Sequence, residues 1–369
     1  MHYLGIDQHS KQLTVNLRNE EGSVVIGRQV STEWDRVREF LSGVRDQCAS
    51  DGGYVAIVEV CGFNDWLLKL LPEYGCRDVV LIQADERSRK KTDRRDASRL
   101  SELLWINRGR LLAGPPVQGL RRVFIPSAED PENRQPTALR KRLTNSRTRQ
   151  INRVKHVLHK LNRLRECPTK GFRTKAARKW LKGLSVGELD RFEVDQSLDQ
   201  WELLDRELAS VEARISERAQ RNENALIIAT LYGDKPGYAA LALAASIGPI
   251  ERFPRPRSLA NYWGLTPTCR NSGKATQRLG SISKQGSAIA RYLLGQLTTQ
   301  VGRRDRWMRD WFKRFKHRRG ARIARVAVMR RLATILWHML KHKQPYLPGD
   351  PGSWKAVSVL LAQSPAGAA

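Results

Sequence analysis

Two short apolar runs near the N-terminus each end on a carboxylate: Tyr3-Leu4-Gly5-Ile6 leads into Asp7, and Tyr54-Val55-Ala56-Ile57-Val58 leads into Glu59. Apolar runs of this length, bounded by polar turns, read as buried strands. A carboxylate closing a central strand projects from the sheet edge where ligands collect. Between the two lie further strand-like runs, Leu13 to Leu17 and Val24 to Val30, and a helical pattern from Glu33 to Cys48. After Glu59 come a helix around Trp66 to Leu71 and a buried-type strand, Val79-Val80-Leu81-Ile82. Three meander strands followed by alternating helix and strand restrict this region to an α/β fold with a mixed sheet.

That order of elements is the ribonuclease-H order, and two more acidic residues fit it. Asp93 and Asp96 lie in Lys91-Thr92-Asp93-Arg94-Arg95-Asp96-Ala97, at the start of a segment that reads as helix through Leu104. Three residues apart on a helix, both can face one way. Any four of the chain's 37 acidic residues could be picked out, and a single Asp or Glu is most often surface charge. Order and context favour a site made of Asp7, Glu59, Asp93 and Asp96. Such a cluster repels itself unless cations fill it, and magnesium or manganese, sharing coordination with water and phosphate oxygens, is the natural filler.

Charge divides the chain. The formal net charge is +29 and the pI about 10.6. Residues 1–90 nonetheless carry 11 Lys and Arg against 14 Asp and Glu, which leaves net +32 for residues 91–369. Nucleic acid is the expected partner of so basic a region. No apolar run approaches the roughly 20 residues of a membrane span, and the N-terminus begins a strand at once, without a signal peptide. A cytoplasmic protein, associated with the nucleoid when bound to DNA, is therefore expected. The cysteines Cys48, Cys61, Cys76, Cys167 and Cys269 are scattered, without the spacing of a zinc site, and read as reduced and structural.

At 369 residues, two or three domains are expected. The segment 1–112 reads as the acidic α/β domain. Gly114-Pro115-Pro116 and the stretch from Pro126 to Pro136 break regular structure, so 113–137 reads as a linker. Ile151, Val154, Leu158 and Leu161 then recur at helical spacing, as do Trp201, Leu204, Leu208, Val211 and Ile215. Residues 138–222 thus form a helical hairpin or coiled coil, packed within one chain or between protomers. A mainly helical domain spans 223–348, and 349–369 is a tail expected to be disordered. Lys91, Arg94, Arg95, Arg147 and Arg153 are candidate phosphate contacts, with a solvated face as the alternative reading for the helical ones.

The C-terminal region offers a second site. Gly264-Leu265-Thr266-Pro267 precedes a polar loop, Asn271-Ser272-Gly273-Lys274, which leads to Gly280-Ser281-Ile282-Ser283-Lys284-Gln285-Gly286. A Ser-Gly-Lys turn exposes a hydroxyl beside an ammonium group that can neutralise phosphate, although a serine before glycine is usually a plain turn residue. With Asp7, Glu59, the 91–97 motif and this block in order, the chain resembles the DEDD transposases of the IS110 group of insertion sequences. That resemblance runs over most of the chain and implies a ribonuclease-H-like (RuvC-like) N-terminal domain and a C-terminal domain carrying a reactive serine. It implies that Ser272 becomes covalently joined to DNA, that the four carboxylates hold magnesium at the scissile phosphate, and that a structured noncoding bridge RNA pairs with donor and target DNA. The sequence departs from the family at Leu231-Tyr232-Gly233-Asp234-Lys235-Pro236-Gly237-Tyr238, where a Pro-Gly-Ile-Gly-like helix–hairpin–helix usually contacts the DNA backbone. The two glycines still permit a tight turn, and Lys235 can replace an amide contact. Lys274, Arg278, Lys284, Arg318 and Arg319 add phosphate-binding charge.

Serine is a poor nucleophile at neutral pH and a phosphodiester repels attack, so the metal ions would have to offset both obstacles. The expected reaction is strand cleavage through a phosphoserine, with no nucleotide cofactor. Recombination of two duplexes requires at least a dimer, and a tetramer is compatible. Two other readings are a Holliday-junction-type nuclease, which hydrolyses with water alone, and a non-catalytic nucleic-acid-binding protein.

Overall fold

Strand β1 (His2–Gln8) is buried along its whole length, and the N-terminal sheet is built outward from it. It is followed by β2 (Gln12–Arg18), β3 (Val24–Ser31), α1 (Trp34–Cys48), β4 (Tyr54–Glu59), α2 (Asp65–Glu73), β5 (Cys76–Gln83), α3 (Asp93–Ile106), α4 (Arg108–Ala113) and the two-residue β6 (Arg121–Arg122). The computed structural model describes residues 1–83, 93–114, 117, 120–125, 129–233, 235–269 and 279–349. The chain separates into two units, Met1–Ile125 and Pro126–Ala369. Lys91, Ser272, Lys274, Arg278 and residues 350–369 of the tail lie outside the described residues.

In the first unit the strand order is β3-β2-β1-β4-β5-β6. β1 pairs antiparallel with β2 and parallel with β4, and β5 continues the parallel side. One face packs Leu4, Ile6, Ala56, Val58 and Leu81 against Phe40, Leu41 and Val44 of α1 and Leu67 and Leu71 of α2. The other packs Tyr3, Val55, Ile57, Val80 and Ile82 against Leu100 and Leu104 of α3 and Leu111 of α4. With both faces covered, apolar residues are needed at successive positions of β1 and β4, which explains their unbroken apolar runs. This is the expected ribonuclease-H-like mixed sheet. Cys48 and Cys76 are buried in it, and burial pushes their thiols up to about 11 and about 12.

The second unit begins with α5 (Glu129–Lys160). The stretch from Pro126 to Pro136, expected to break any regular element, therefore lies partly inside a helix. Pro131 falls in its first turn, where an N–H has no intrahelical partner to lose. Pro136 forfeits a bond, but side-chain ties hold this part of the helix: Thr137 Oγ1 donates to Arg134 O at 2.8 Å, and Arg134 Nε donates to Ala245 O at 2.8 Å. After the short α6 (Lys175–Lys182), α7 (Glu188–Arg221) returns antiparallel to α5. Ile151, Val154 and Leu158 share a core with Val194, Leu198 and Trp201, so the first apolar stripe meets the start of the second within one chain, whereas Val211 and Ile215 further along join the core that holds Leu241 and Leu243.

The rest of this unit is α8 (Glu223–Ala229), α9 (Tyr238–Ile247), α10 (Pro256–Tyr262), the hairpin β7 (Pro267–Cys269) and β8 (Leu279–Ile282), α11 (Ala288–Arg304), α12 (Arg306–Arg319) and α13 (Ala321–Lys341). α9 is buried nearly all round, and its Leu241 and Leu243 share a core with Trp263, Leu294, Leu332 and Leu336. The altered 231–238 segment joins α8 to α9, and Tyr232 Oη accepts from Ala240 N at 3.1 Å. Among the described residues no helix is long and apolar enough to cross a membrane.

Candidate active site

The last aligned pair of β1 and β4 is Ile6 with Val58, so Asp7 and Glu59 are the next residues on neighbouring parallel strands. Strand side chains alternate between faces. Asp7 therefore shares a face with Tyr3 and Gly5, and Glu59 with Val55 and Ile57, which is the face covered by α3. Asp7 is only 7% exposed, and its Oδ2 lies 3.8 Å from His9 Nδ1.

Helix α3 runs antiparallel to β1 across this face. Gly5 lies beneath Ala97 and Ser101, and a Cβ there would come within 2.5 Å of Ala97 O and Ser101 N. Further along, Trp105 Nε1 donates to Glu20 O at 2.9 Å, beyond the Tyr3 end of β1. The N-terminus of α3 consequently points to the Asp7 end. Asp96 directly precedes Ala97, and its Oδ2 is buried without a hydrogen-bond partner among the described residues. Asp93 is one turn earlier; its side chain, like those of Arg94 and Arg95, lies outside the described residues.

A buried acceptor with no donor is costly in the absence of a compensating partner. Carboxylate oxygens from two adjacent strand ends and a helix start are the donors that magnesium or manganese takes. In kind the residues suit such an ion. Among the described residues, however, no three His, Cys, Asp or Glu side chains gather closely enough to hold one together.

Several residues that sequence reasoning missed set these positions. Asn64 Nδ2 donates to Gln8 Oε1 at 2.9 Å and to Glu59 O at 3.1 Å, and Gln8 Nε2 donates to Phe63 O at 3.0 Å. Gln8 and Asn64 are buried, so this amide clamp ties the chain after β4 to the end of β1 and keeps Glu59 beside Asp7. On the other flank Ser101 Oγ donates to Asn16 Oδ1 at 2.6 Å and accepts from Arg18 Nε at 3.0 Å, pinning α3 to β2. An Asn one residue before a helix is a visible sequence signal, but it points to capping. One of its partners, Gln8, stands 56 positions away.

In the second unit β7 and β8 pair with Pro267 opposite Ile282 and Cys269 opposite Leu279. The segment between them contains Ser272, Lys274 and Arg278. The hairpin base is closely built. A Cβ added to Gly264, at φ +64°, would lie only 2.3 Å from Gln285 O, and one added to Gly286, at φ +73°, only 2.0 Å from Tyr262 O. Arg291 Nη1 donates to Trp263 O and Gln285 O at 3.1 and 2.9 Å. Lys284 is exposed with a left-handed backbone, φ 57°.

The expected cations fall into different settings. Arg147 is engaged rather than free for phosphate: it pairs with Asp205 at 2.9 Å, and Arg178 binds the same carboxylate. Burial tends to raise the Asp205 pKa, but the hydrogen bonds from Arg178 and Arg147 outweigh it and hold the group below its ordinary value. Arg153 is exposed, with Nη1 3.4 Å from Gln150 Oε1. Arg318 and Arg319 are exposed at the end of α12.

Residues 4–162, which include all four acidic positions, match the IS110-type DEDD family described as "Transposase". Residues 236–313, which include the β7–β8 hairpin, match the "Transposase IS116/IS110/IS902 family". With these two matches in order, the chain belongs to the IS110 family of DEDD transposases. Among its relatives, the transposase for insertion sequence element IS1111A of Coxiella burnetii is 29% identical over 266 residues, covering 70% of this chain and 69% of that protein. A Pseudomonas aeruginosa protein named "Probable family 20 transposase" is 31% identical over 172 residues, covering 44% of this chain and 48% of its own length.

Proposed function

We propose that this insertion-sequence transposase cuts and exchanges DNA strands through a phosphoserine at Ser272, at a metal site made by Asp7, Glu59, Asp93 and Asp96. The observation that carries the reading is the convergence of Asp7, Glu59 and the start of α3 on one end of one sheet face, with the Asp96 Oδ2 acceptor buried and without a partner among the described residues. Magnesium, or manganese, bound there would offset charge on the scissile phosphate and favour ionisation of an oxygen nucleophile.

Ser272 Oγ attacks phosphorus, one phosphodiester P–O bond breaks as the Ser–O–P bond forms, the serine proton passes to a base, and the leaving oxygen gains a proton. One phosphate ester replaces another, so the strand can be rejoined by the reverse attack without a nucleotide cofactor. Lys274 and Arg278 neutralise the phosphate in this reading, and Lys91, Arg94, Arg95, Arg153, Lys284, Arg318 and Arg319 follow the flanking backbone. A bridge RNA pairs with donor and target DNA, which frees the polypeptide from encoding the target. The functional divisions are the acidic domain 1–112, the helical segment 138–222 and the serine domain 223–348, acting as a dimer or tetramer in the cytoplasm.

The test incubates the full chain with magnesium, RNA transcribed from the flanks of its gene and end-labelled donor and target duplexes, and resolves the products on a denaturing protein gel. Label retained by the wild-type protein should vanish in Ser272→Ala and in Asp7→Asn, with cleavage in the latter reduced at least about a hundredfold. Free nicked DNA that is undiminished in Ser272→Ala would replace this reading with a hydrolytic nuclease.

A further inference from the structure

Helix α12 combines two features that ordinary surface helices keep apart. Seven Lys and Arg stand against one Asp in its 14 residues, yet Trp307, Trp311 and Phe315 recur every four residues along it. The two indoles are stacked with centroids 6.3 Å apart and planes 7° from parallel, and Phe315 continues the row at 5.5 Å. Trp307 and Trp311 are partly buried against the core. The Arg331 guanidinium from α13 sits 4.9 Å from the Trp307 ring centroid, which fixes the indole further.

An open cavity of about 620 Å³ lies at the start of this row, walled by Arg304, Asp305, Arg306, Trp307, Asp310 and Arg314, with Pro348 and Gly349 beside them. Its volume is in the range of small-molecule sites. Three guanidinium groups in its wall stand against two carboxylates, which leaves a net positive charge. Asp305 turns into the fold, where it accepts from Met308 N at 3.1 Å and Tyr346 Oη at 2.5 Å. Asp310 is shared between Arg306 at 3.7 Å and Lys313 at 4.0 Å. Arg314 is exposed. A flat aromatic wall held in place, with guanidinium groups around it, suits a planar base carrying a phosphate on each side. A duplex offers phosphates but keeps its bases stacked on each other, so the aromatic wall would go unused.

We propose that this cavity binds an unpaired nucleotide of single-stranded DNA or RNA, with the base stacked on Trp307 and the adjoining phosphates paired with Arg306 and Arg314. The proposal deepens the transposase reading and rests on it for nucleic acid as the partner, but its test requires no strand cleavage. The full chain, in EDTA, is titrated by fluorescence anisotropy into labelled oligo(dT), oligo(rU) and a duplex of matched length. Trp307→Leu, which keeps apolar packing, weakens single-strand binding about 5- to 100-fold and leaves duplex binding unchanged, while Trp307→Phe restores most of the loss. Arg314→Gln weakens single-strand binding and lowers the slope of log affinity against log salt by about 0.7.

Whichever single strand shows the larger Trp307 effect identifies DNA or RNA as the source. The proposal is overturned if Trp307→Leu binds both single strands as the wild type does, or loses duplex binding equally. Should thermal melting show Trp307→Leu unfolded, the exposed Arg314→Gln decides alone: unchanged single-strand affinity rejects the site. Trp307-dependent binding without any strand cleavage by the wild type would remove the transposase mechanism and keep this site. Cleavage without Trp307-dependent binding would do the reverse.

Discussion

Gly5 is the residue on which the placement of Asp96 turns. Its backbone meets α3 so closely that even a methyl group would collide with Ala97 O and Ser101 N, and neither backbone can yield without moving the helix. Gly5→Ala is expected to lower stability by about 1–3 kcal/mol through overpacking, read as a lower urea midpoint at unchanged slope. Because the displaced helix carries Asp96, strand cleavage should fall even below the midpoint, where the protein is still folded. A wild-type midpoint would mean that α3 does not press on β1. Asp7 and Glu59 were legible as candidate site residues because a carboxylate closing an apolar run breaks a pattern. Gln8 and Asn64 break none, and their amides acquire meaning only through each other.

Among the elements, the α5–α7 hairpin joins an apolar seam to ion pairs. Asp205 on α7 takes Arg147 from α5 and Arg178 from α6, and Arg178 also lies 4.5 Å from the Trp201 ring centroid. Removing the carboxylate leaves two guanidinium groups poorly partnered, so Asp205→Ala should destabilise by about 1–3 kcal/mol. The pH dependence has a definite sign. The folded Asp205 carboxyl lies below its ordinary value, so its stabilisation is complete above the unfolded pKa of about 3.9 and is lost as pH falls through the lower folded value. Thermal midpoints of wild type and Asp205→Asn should differ by a constant amount near neutrality and converge only below about pH 4. A difference unchanged across that acid window would exclude ionised Asp205 as the source. The apolar stripes of both helices were readable from spacing, whereas the start of α5 was not, since its prolines argue locally for a break.

For the whole molecule, the dominant quantity is charge. Residues 91–369 hold a net +32, against −3 for residues 1–90, and an excess of that size makes nucleic-acid affinity a matter of counterion release. Duplex affinity should fall linearly on a log–log plot against salt. Replacing both Arg318 and Arg319 with Gln should reduce the slope by about two if each contacts phosphate. A slope equal to that of wild type would assign both to a solvated helix end. This readout differs from the Trp307 effect, which concerns stacking and spares the duplex.

Local sequence determined the order of strands and helices, the buried character of β1 and β4, the division of charge and the motifs that carry family membership. Each of these is written in the periodicity or chemistry of neighbouring residues, which the backbone geometry of strands and helices converts directly into faces. Tertiary structure alone decided that Asp7 and Glu59 are neighbours, that α3 brings Asp96 to their end of the sheet, that α5 begins at Glu129 despite its prolines, and that Arg147 belongs to Asp205. The physical reason is common to all four. Strand register, close approach at a glycine and the competition between a cation's possible partners depend on groups far apart in the chain, and their energies exist only once folding has brought those groups together.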